Sequence, residues 1–261
     1  MLGYYVKPKI LPEEKNSVKE CKVMIAVSLL LICVQLTFAQ VKNNESEYYK
    51  WFDEVTGTEN SNLYEGTLVV EEYVFFKDSH RFFSSSEYLS GNVVYGGESY
   101  FNIEMKYDLY EDQVLLGLRS DVGLKMLRLV KDRIDEFVIG EHKFKKIDCE
   151  KDKTSYVHGF QEILIETTFF SFFKKNSKQR YTRYEGNRIY HEFVSDNKYT
   201  LGYKGSCYNI KSKKDIVKIF PEYKSQINRN IADSYRKVNK ELYLIKILGI
   251  VSDLEERKRE L

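Results

Sequence analysis

The chain has 261 residues, of which 43% are hydrophobic, 15% aromatic and 31% charged, and its formal net charge is +2. Such a length and apolar content support a large hydrophobic core, so a disordered chain is excluded. The near balance of charge argues against a dedicated nucleic-acid binder, which needs a strongly basic surface. Four cysteines are too few for a small disulfide-dense scaffold.

The N-terminal part of the chain predicts export. Residues 24–39 contain an apolar run that follows the basic Lys22 and ends at Thr37-Phe38-Ala39, just before Gln40. A basic residue, a short apolar stretch and small residues before a cleavage point are typical of a secretory signal peptide. The alternatives are an uncleaved membrane anchor, although a span needs about 20 apolar residues, and a buried core segment.

Residues 1–23 precede this signal and show no apolar periodicity. We interpret them as an upstream extension ahead of a start at Met24, with a long n-region as the alternative. Residues 1–39 hold five of the 41 basic and three of the 39 acidic residues, so the exported chain has 36 of each and no net charge. A neutral chain lacks the field that attracts nucleic acid or anionic membranes. We therefore expect no nucleic-acid partner, and membrane contact only if residues 24–39 are retained.

Two cysteines remain in the exported chain, Cys149 and Cys207. An oxidising compartment permits a disulfide between them. Two unpaired thiols are the alternative, because spacing in the sequence does not show that the sulfur atoms are close.

Residues 40–211 predict a β-rich body, because short runs of β-branched and aromatic residues alternate with turn residues. The clearest signal is a hairpin in which 92–95 and 99–107 flank Gly96-Gly97. The other strand candidates are 66–76, 113–118, 124–130, 136–139, 142–144, 160–173 as one or two strands, 188–194, 198–203 and 207–210. This pattern predicts an antiparallel sheet arranged as an open barrel or a sandwich.

Residues 212–261 predict a C-terminal helical segment packed on that body, which makes the fold class α+β. Ser212-Lys-Lys-Asp215 matches a capping box, and Pro221 suits the first position of a second helical segment. A third segment over 233–257 has a wide apolar face by its 3.6-residue period. That face comprises Leu242, Ile245, Leu248, Val251 or Ser252, and Leu254, and it is widened by Leu244, Ile247 and Ile250. Burial against the sheet is expected, with a partner helix or a dimer as the alternative.

Two segments carry a resemblance to a known family: Lys-Tyr-Asp-Leu-Tyr-Glu-Asp over 106–112 and Lys-Ser-Lys-Lys-Asp-Ile-Val-Lys-Ile-Phe-Pro over 211–221. With Gly91-Asn-Val-Val-Tyr95 and the Phe-Ala-Gln signal end, the chain resembles a family of uncharacterised secreted or envelope proteins of Bacteroidota. The resemblance covers most of residues 60–250. It implies an exported β-rich body with a helical C-terminus, and it implies no catalytic residue.

Catalytic, cofactor-binding and metal-binding motifs are not completed in this sequence, so we name no such residue and expect no cofactor. His80, His142, His158 and His191 lack zinc-ligand spacing, and no Gly-x-Ser-x-Gly turn presents Ser84, Ser85 or Ser86. The sequence contains no glycine-rich phosphate loop.

Three charged groups receive a structural interpretation. Asp108, Glu111 and Asp112 predict a hairpin turn. Asp148, Glu150 and Asp152 predict one face of a strand or a loop, with a weak divalent-cation site as the alternative. The basic stretch 174–183 predicts a solvated hairpin connection, with contact to acidic lipopolysaccharide or another glycan polymer as the alternative.

The leading functional hypothesis is a non-enzymatic envelope or secreted protein that binds a partner or polymer through its β-rich body. The expected partner is another envelope protein or a glycan, in the periplasm, the outer envelope or the extracellular space. The alternatives are a small-molecule carrier with an apolar cavity in a β-barrel, and a hydrolase whose site is assembled from scattered Asp, Glu and His. The oligomeric state is not predicted.

Intact mass spectrometry of fractionated cells tests the predicted processing. We expect a soluble species that begins at Gln40, and a deficit of two hydrogens if Cys149 and Cys207 are bonded. A membrane-bound species that retains residues 24–39 would contradict cleavage and would identify the segment as an anchor.

Overall fold

The computed structural model describes residues 62–120, 123–147, 158–230 and 239–259. The predicted extension 1–23 and signal 24–39 lie outside these residues, as do Cys149 and the acidic group 148–152. The pairing of Cys149 with Cys207 therefore stays a prediction. Within the described part of the chain, no helix is both long and apolar enough to cross a membrane.

The described residues form thirteen strands, of which eleven make one antiparallel sheet in the order β1-β5-β4-β3-β2-β6-β7-β8-β9-β12-β13. Strands β10 and β11 form a separate two-stranded ribbon. The bounds are β1 (Gly66–Val69), β2 (Leu89–Tyr95), β3 (Glu98–Asp108), β4 (Gln113–Ser120), β5 (Gly123–Leu129), β6 (Ile134–Ile139), β7 (His142–Lys146), β8 (Phe160–Glu166), β9 (Phe170–Lys175), β10 (Lys178–Glu185), β11 (Arg188–Ser195), β12 (Lys198–Tyr203) and β13 (Ser206–Asn209). The predicted antiparallel β-rich body is confirmed; the sheet is open, with β1 and β13 at its edges, and is not a closed barrel.

The predicted β2–β3 hairpin is confirmed. Gly96 and Gly97 both have positive φ, at 63° and 83°. A two-residue turn of this kind needs positive φ at both central positions, and glycine reaches it without steric cost. Local turn chemistry therefore sets the register of this pair.

The run 66–76 is a strand only as far as Val69; beyond it, Phe75 makes a single bridge to His191 of β11. The predicted connection over 174–183 is wrong, because Lys178–Glu185 is the strand β10. Cross-strand pairs stabilise this ribbon: Tyr184 lies opposite Ile189, and Arg183 forms an ion pair with Glu192. These partners lie on β11, the next strand along the chain, so the apparent loop is one strand of a hairpin.

In the described C-terminal residues three helices follow the sheet, as predicted: α1 (Lys213–Ile219), α2 (Lys224–Asn230) and α3 (Lys240–Arg259). Asp215 Oδ2 accepts hydrogen bonds from the Ser212 N–H at 2.9 Å and from the Ser212 hydroxyl at 3.1 Å, so the carboxylate caps the start of α1. Pro221 begins a 3₁₀ turn that leads into α2. Residues 231–238 lie outside the description, so the predicted start of the third segment at 233 is not tested.

The buried stripe of α3 differs in phase from the predicted face. Tyr243 is buried at 2% exposure, whereas Leu242 is 53% exposed. The fully buried members of the stripe are Leu244, Ile247, Leu248 and Val251. Because Leu244, Leu248 and Val251 follow the i, i+4, i+7 spacing, the stripe centres on them and turns Leu242 outward.

Two hydrophobic clusters cover the sheet. The first joins strands β2 to β8 and includes Tyr107, Phe137, Phe144 and Phe160. The second joins β9 and β12 to the helices and is built from Phe170, Phe172, Tyr199, Leu201, Ile216, Phe220, Tyr223, Ile227 and the stripe of α3. The C-terminal helices are therefore buried on the sheet at β9 and β12.

A matched pair of leucines tests this packing. Leu248→Ala removes a fully buried side chain, so we expect a loss of about 2–5 kcal/mol in the free energy of unfolding. Leu242→Ala changes an exposed position and should alter stability by no more than about 0.5 kcal/mol. Urea unfolding monitored by circular dichroism measures both, and equal losses would contradict the observed phase of the helix.

Candidate functional site

Four of the buried polar side chains lie on or next to strands β8, β9 and β12: Gln161, Glu162, Asn176 and Thr200. Removing a polar group from water costs free energy unless a hydrogen bond replaces its water contacts. A buried polar side chain with hydrogen-bond partners in the protein therefore stabilises the fold, whereas one without partners is a candidate for contact with a ligand.

Glu162 is fully supplied with partners. His142 Nδ1 lies 2.5 Å from Glu162 Oε1, and Asn176 Nδ2 donates to Oε2 at 2.6 Å. The Lys174 ammonium is 3.6 Å from the same oxygen Oε2. The buried carboxylate thus links β7 and β8 with β9 and the residue that follows it.

The same network reaches helix α3. Lys174 Nζ lies 2.7 Å from Glu241 Oε2, and the Tyr199 hydroxyl donates to that oxygen at 3.1 Å. Burial and the nearby Glu241 carboxylate raise the pKa of Tyr199 well above its usual value. The phenol therefore remains a protonated hydrogen-bond donor at neutral pH.

Gln161 is the exception next to this network. Its side chain is fully buried, yet neither Nε2 nor Oε1 has a hydrogen-bond partner among the described residues. An unmade buried hydrogen bond costs about 1–3 kcal/mol. Gln161 is also one of the residues that line a cleft of about 700 Å³, so its unpartnered amide lies at the wall of that cleft.

The described wall of this cleft is polar and mainly basic. Its charged side chains are Lys175, Lys198, Lys211, Lys240 and Asp196. Thr200 and Asn209 add neutral hydrogen-bonding groups. His158 also lies at the wall, so this is the one of the four histidines that the structure brings to the cleft.

The register of the sheet brings the lysines together. Lys175 of β9 lies directly opposite Lys198 of β12, and Gln161 of β8 lies opposite Lys145 of β7. Like charges directly opposite each other destabilise a sheet. Lys198 Nζ lies 3.5 Å from Asp196, whereas Lys175 Nζ is held 2.6 Å from Asp112.

Asp112 is the centre of a second, half-buried ion network beside the cleft. It contacts Lys131 Nζ at 2.5 Å, and the Tyr107 hydroxyl donates to it at 2.6 Å. Burial alone would raise the pKa of Asp112, but the Lys175 ammonium and the bonds from Lys131, Lys175 and Tyr107 hold it below its usual value. Burial lowers the pKa of Lys175, and Asp112 offsets part of that effect.

Gly159 shapes the approach of Asp112 to strand β8. It has a φ of 82°, and a Cβ at this position would overlap Asp112 Oδ2. Only glycine accepts both the left-handed backbone and the close carboxylate. The Asp112 network therefore fixes the chain two residues before Gln161.

The other residues singled out by sequence have structural positions. Asp108 Oδ1 accepts the N–H groups of Tyr110 at 2.9 Å and Glu111 at 3.1 Å, which is the turn that the sequence predicts. Asp108 is also buried, with Arg81 Nε 3.2 Å from its Oδ2. Burial raises the pKa of Asp108 in spite of that guanidinium.

The remaining histidines serve packing and backbone contacts. His80 Nδ1 accepts the Phe82 N–H at 3.2 Å, and burial together with Lys178 lowers the pKa of His80. His191 packs edge-on against Tyr73 at 5.2 Å. Across the described ranges, no group of three or more His, Cys, Asp or Glu side chains is placed to hold a metal ion.

Exposed aromatic rings are concentrated on the ribbon, where Tyr181 and Tyr184 of β10 are 48% and 74% exposed. Other rings, such as Tyr95, Tyr107 and Phe144, are buried in the core.

Gln161 was not identified from the sequence as a candidate site residue. Its local signal is weak: Gln161 and Glu162 stand next to each other at the start of an apolar run that becomes β8.

Comparison with protein-family models, with curated proteins and with solved structures finds no match to this chain.

The Asp112 network predicts a pH-dependent contribution to stability. Because the folded pKa of Asp112 is depressed, its contribution is complete above the unfolded pKa of about 4 and is lost as pH falls through the folded pKa. Asp112→Asn should cost about 3 kcal/mol at pH 7, because it leaves Lys131 and Lys175 without their carboxylate. The difference from the parent protein should shrink below about pH 4.

Urea unfolding at several pH values measures this difference. Asp132→Asn is the matched control, since Asp132 is an exposed carboxylate whose partner is Lys146. It should have little effect at any pH. A loss for Asp112→Asn that is the same at pH 3 and pH 7 would show that the charge of Asp112 is not what stabilises the fold.

Proposed function

We propose that this chain is an exported, non-enzymatic binding protein and that the cleft over β8, β9 and β12 binds a polyhydroxylated polymer, a glycan. The observation that carries the proposal is the buried amide of Gln161, which lines the cleft with both of its polar atoms unpartnered among the described residues. The predicted signal over 24–39 supports export. The resemblance to envelope proteins of Bacteroidota points in the same direction.

The chemistry of the wall favours hydroxyl groups as ligand atoms. A primary amide presents a donor and an acceptor side by side, and each hydroxyl of a sugar can both donate and accept. A cleft of about 700 Å³ is within the range of small-ligand sites. The polar lining and the open sheet give less support to the alternative carrier, which needs an apolar cavity inside a barrel.

The charged groups of the wall favour binding over hydrolysis. Glycoside hydrolysis normally uses two carboxyl groups, placed about 5–10 Å apart on either side of the bond that is cleaved. Among the described lining residues the one carboxylate is Asp196, which accepts from Gln179 at 3.0 Å and lies near Lys198. The Tyr199 hydroxyl, whose pKa is raised, stays protonated and donates a hydrogen bond to Glu241, so it cannot act as a base.

The variant Gln161→Leu separates binding from folding. Leu has a similar volume and has no unmade hydrogen bonds, so the variant should be as stable as the parent protein or more stable, by up to about 2 kcal/mol. The same change should abolish retention on a glycan array that displays neutral and acidic oligosaccharides. A residue kept for function at a cost in stability behaves in this way.

Gln226→Leu is the matched control, because Gln226 is an exposed glutamine of α2. It should leave glycan binding unchanged. Two results would contradict the proposal: a Gln161→Leu protein that binds glycans like the parent, or one that unfolds at clearly lower urea concentration because its amide has a structural partner.

A further inference from the structure

We infer that the ligand of this cleft is anionic, namely a glycan that carries carboxylate or sulfate groups. The inference rests on the proposed function and adds the charge of the ligand to it. Four lysines and one aspartate line the described wall of the cleft, so the site is cationic within a chain whose exported part is predicted to be neutral.

The lysines differ in how far the protein itself neutralises them. Lys175 Nζ forms an ion pair with Asp112 at 2.6 Å. Lys198 Nζ lies 3.5 Å from Asp196 Oδ2, which also accepts a hydrogen bond from Gln179. Lys211 and Lys240 have no carboxylate within ion-pair distance among the described residues. The Lys240 ammonium instead lies 5.2 Å from the centre of the Tyr199 ring. At least two positive charges of the wall therefore lack an anion from the described chain.

The arrangement of these charges around Gln161 has a chemical consequence. Lys175 and Lys198 stand opposite each other across β9 and β12, next to the neutral amide on β8. An anionic sugar satisfies both parts of such a site, because its hydroxyls bind the amide while its acidic groups meet the ammonium groups. A neutral sugar would leave Lys211 and Lys240 at the wall without an anion from the ligand or from the described chain.

The basic ribbon is a separate cationic surface, because none of its arginines is among the residues that line the cleft. The Arg180 guanidinium lies over the rings of Tyr73 and Tyr110, at 5.2 Å and 5.4 Å. Arg183 is paired with Glu192. Lys211 and Lys240, in contrast, stand at the wall of the cleft beside Gln161.

Calorimetric titration of the exported chain with three hexasaccharides tests the inference. The probes are a galacturonate oligomer, a sulfated galactan oligomer and a neutral glucan oligomer of the same length. We expect binding of a carboxylated probe, a sulfated probe or both, with the affinity falling as salt is raised, and the two acidic probes distinguish the source of the charge.

The charge of the wall is tested by variants. Lys198→Met combined with Lys240→Met should lower the affinity for the acidic probe by about tenfold or more, because two ammonium groups are lost while the apolar stems are kept. Lys211→Met alone should weaken it to a smaller extent. Lys214→Met, at an exposed position of α1, is the control and should bind like the parent. Unfolding curves in urea show whether each variant is folded, and Lys211→Met gives a second test if the double variant is not.

The remaining outcomes separate this inference from the function on which it rests. Equal or stronger binding of the neutral probe, abolished by Gln161→Leu, would overturn the anionic ligand and leave the glycan-binding function standing. No binding of any probe would overturn both. Lysine-dependent binding to vesicles of anionic lipid that Gln161→Leu does not affect would replace the glycan with a membrane surface, and release of shortened oligosaccharides would make the protein an enzyme.

Discussion

The buried carboxylate of Glu162 is the centre of a side-chain network that connects β7, β8 and β9 with helix α3. Its two oxygens take bonds from His142 on one side of β8 and from Asn176 beyond β9. Lys174 extends the connection to Glu241, the second residue of α3. A buried charge is tolerated only when it is paired and hydrogen-bonded, so these partners constrain how strands β7 to β9 and the last helix lie together.

The unpartnered amide of Gln161 is best understood by comparison with the neighbouring Glu162. Both side chains are buried on the same strand, and the chain supplies the carboxylate of Glu162 with three partners while the amide of Gln161 has none among the described residues. Partners for buried polar groups are thus available in this region of the fold. Lys175 lies close by but is directed to Asp112, which Gly159 allows to approach. An amide left open in such surroundings, at the wall of a cationic cleft, is the arrangement expected of a binding group.

Sequence reasoning succeeded here where the determining chemistry is local. Gly96-Gly97 predicts its hairpin because the two-residue turn needs two positive φ angles, which glycine adopts readily. Ser212 and Asp215 predict the start of a helix because the capping carboxylate lies only three residues along the chain. The apolar positions of α3 form so wide a face that periodicity alone did not exclude Leu242, and the packing partner decided the phase. Strand β10 was mistaken for a connection because its residues are mostly charged or polar, although its partner strand β11 follows after a two-residue turn.

The candidate site was beyond reach of the sequence for a related reason. Lys175, Lys198 and Gln161 become neighbours only through the pairing order of β8, β9 and β12, and the order places two sequence-distant segments side by side. Asp112 reads in the sequence as one acid of a turn, yet its main partners are Lys131 and Lys175. A buried amide also looks, in sequence, like any polar residue of an alternating strand.

The most direct test of the account is to observe the side-chain amide of Gln161 itself. A proton–nitrogen correlation spectrum of the labelled chain shows its Nε2 protons, which are assigned by their disappearance in the Gln161→Leu variant. Titration with the galacturonate oligomer should shift this pair of signals in a saturable manner and leave those of Gln226 in place. Signals of Gln161 that do not move when the oligomer is bound at saturation would show that the open amide is not the binding group.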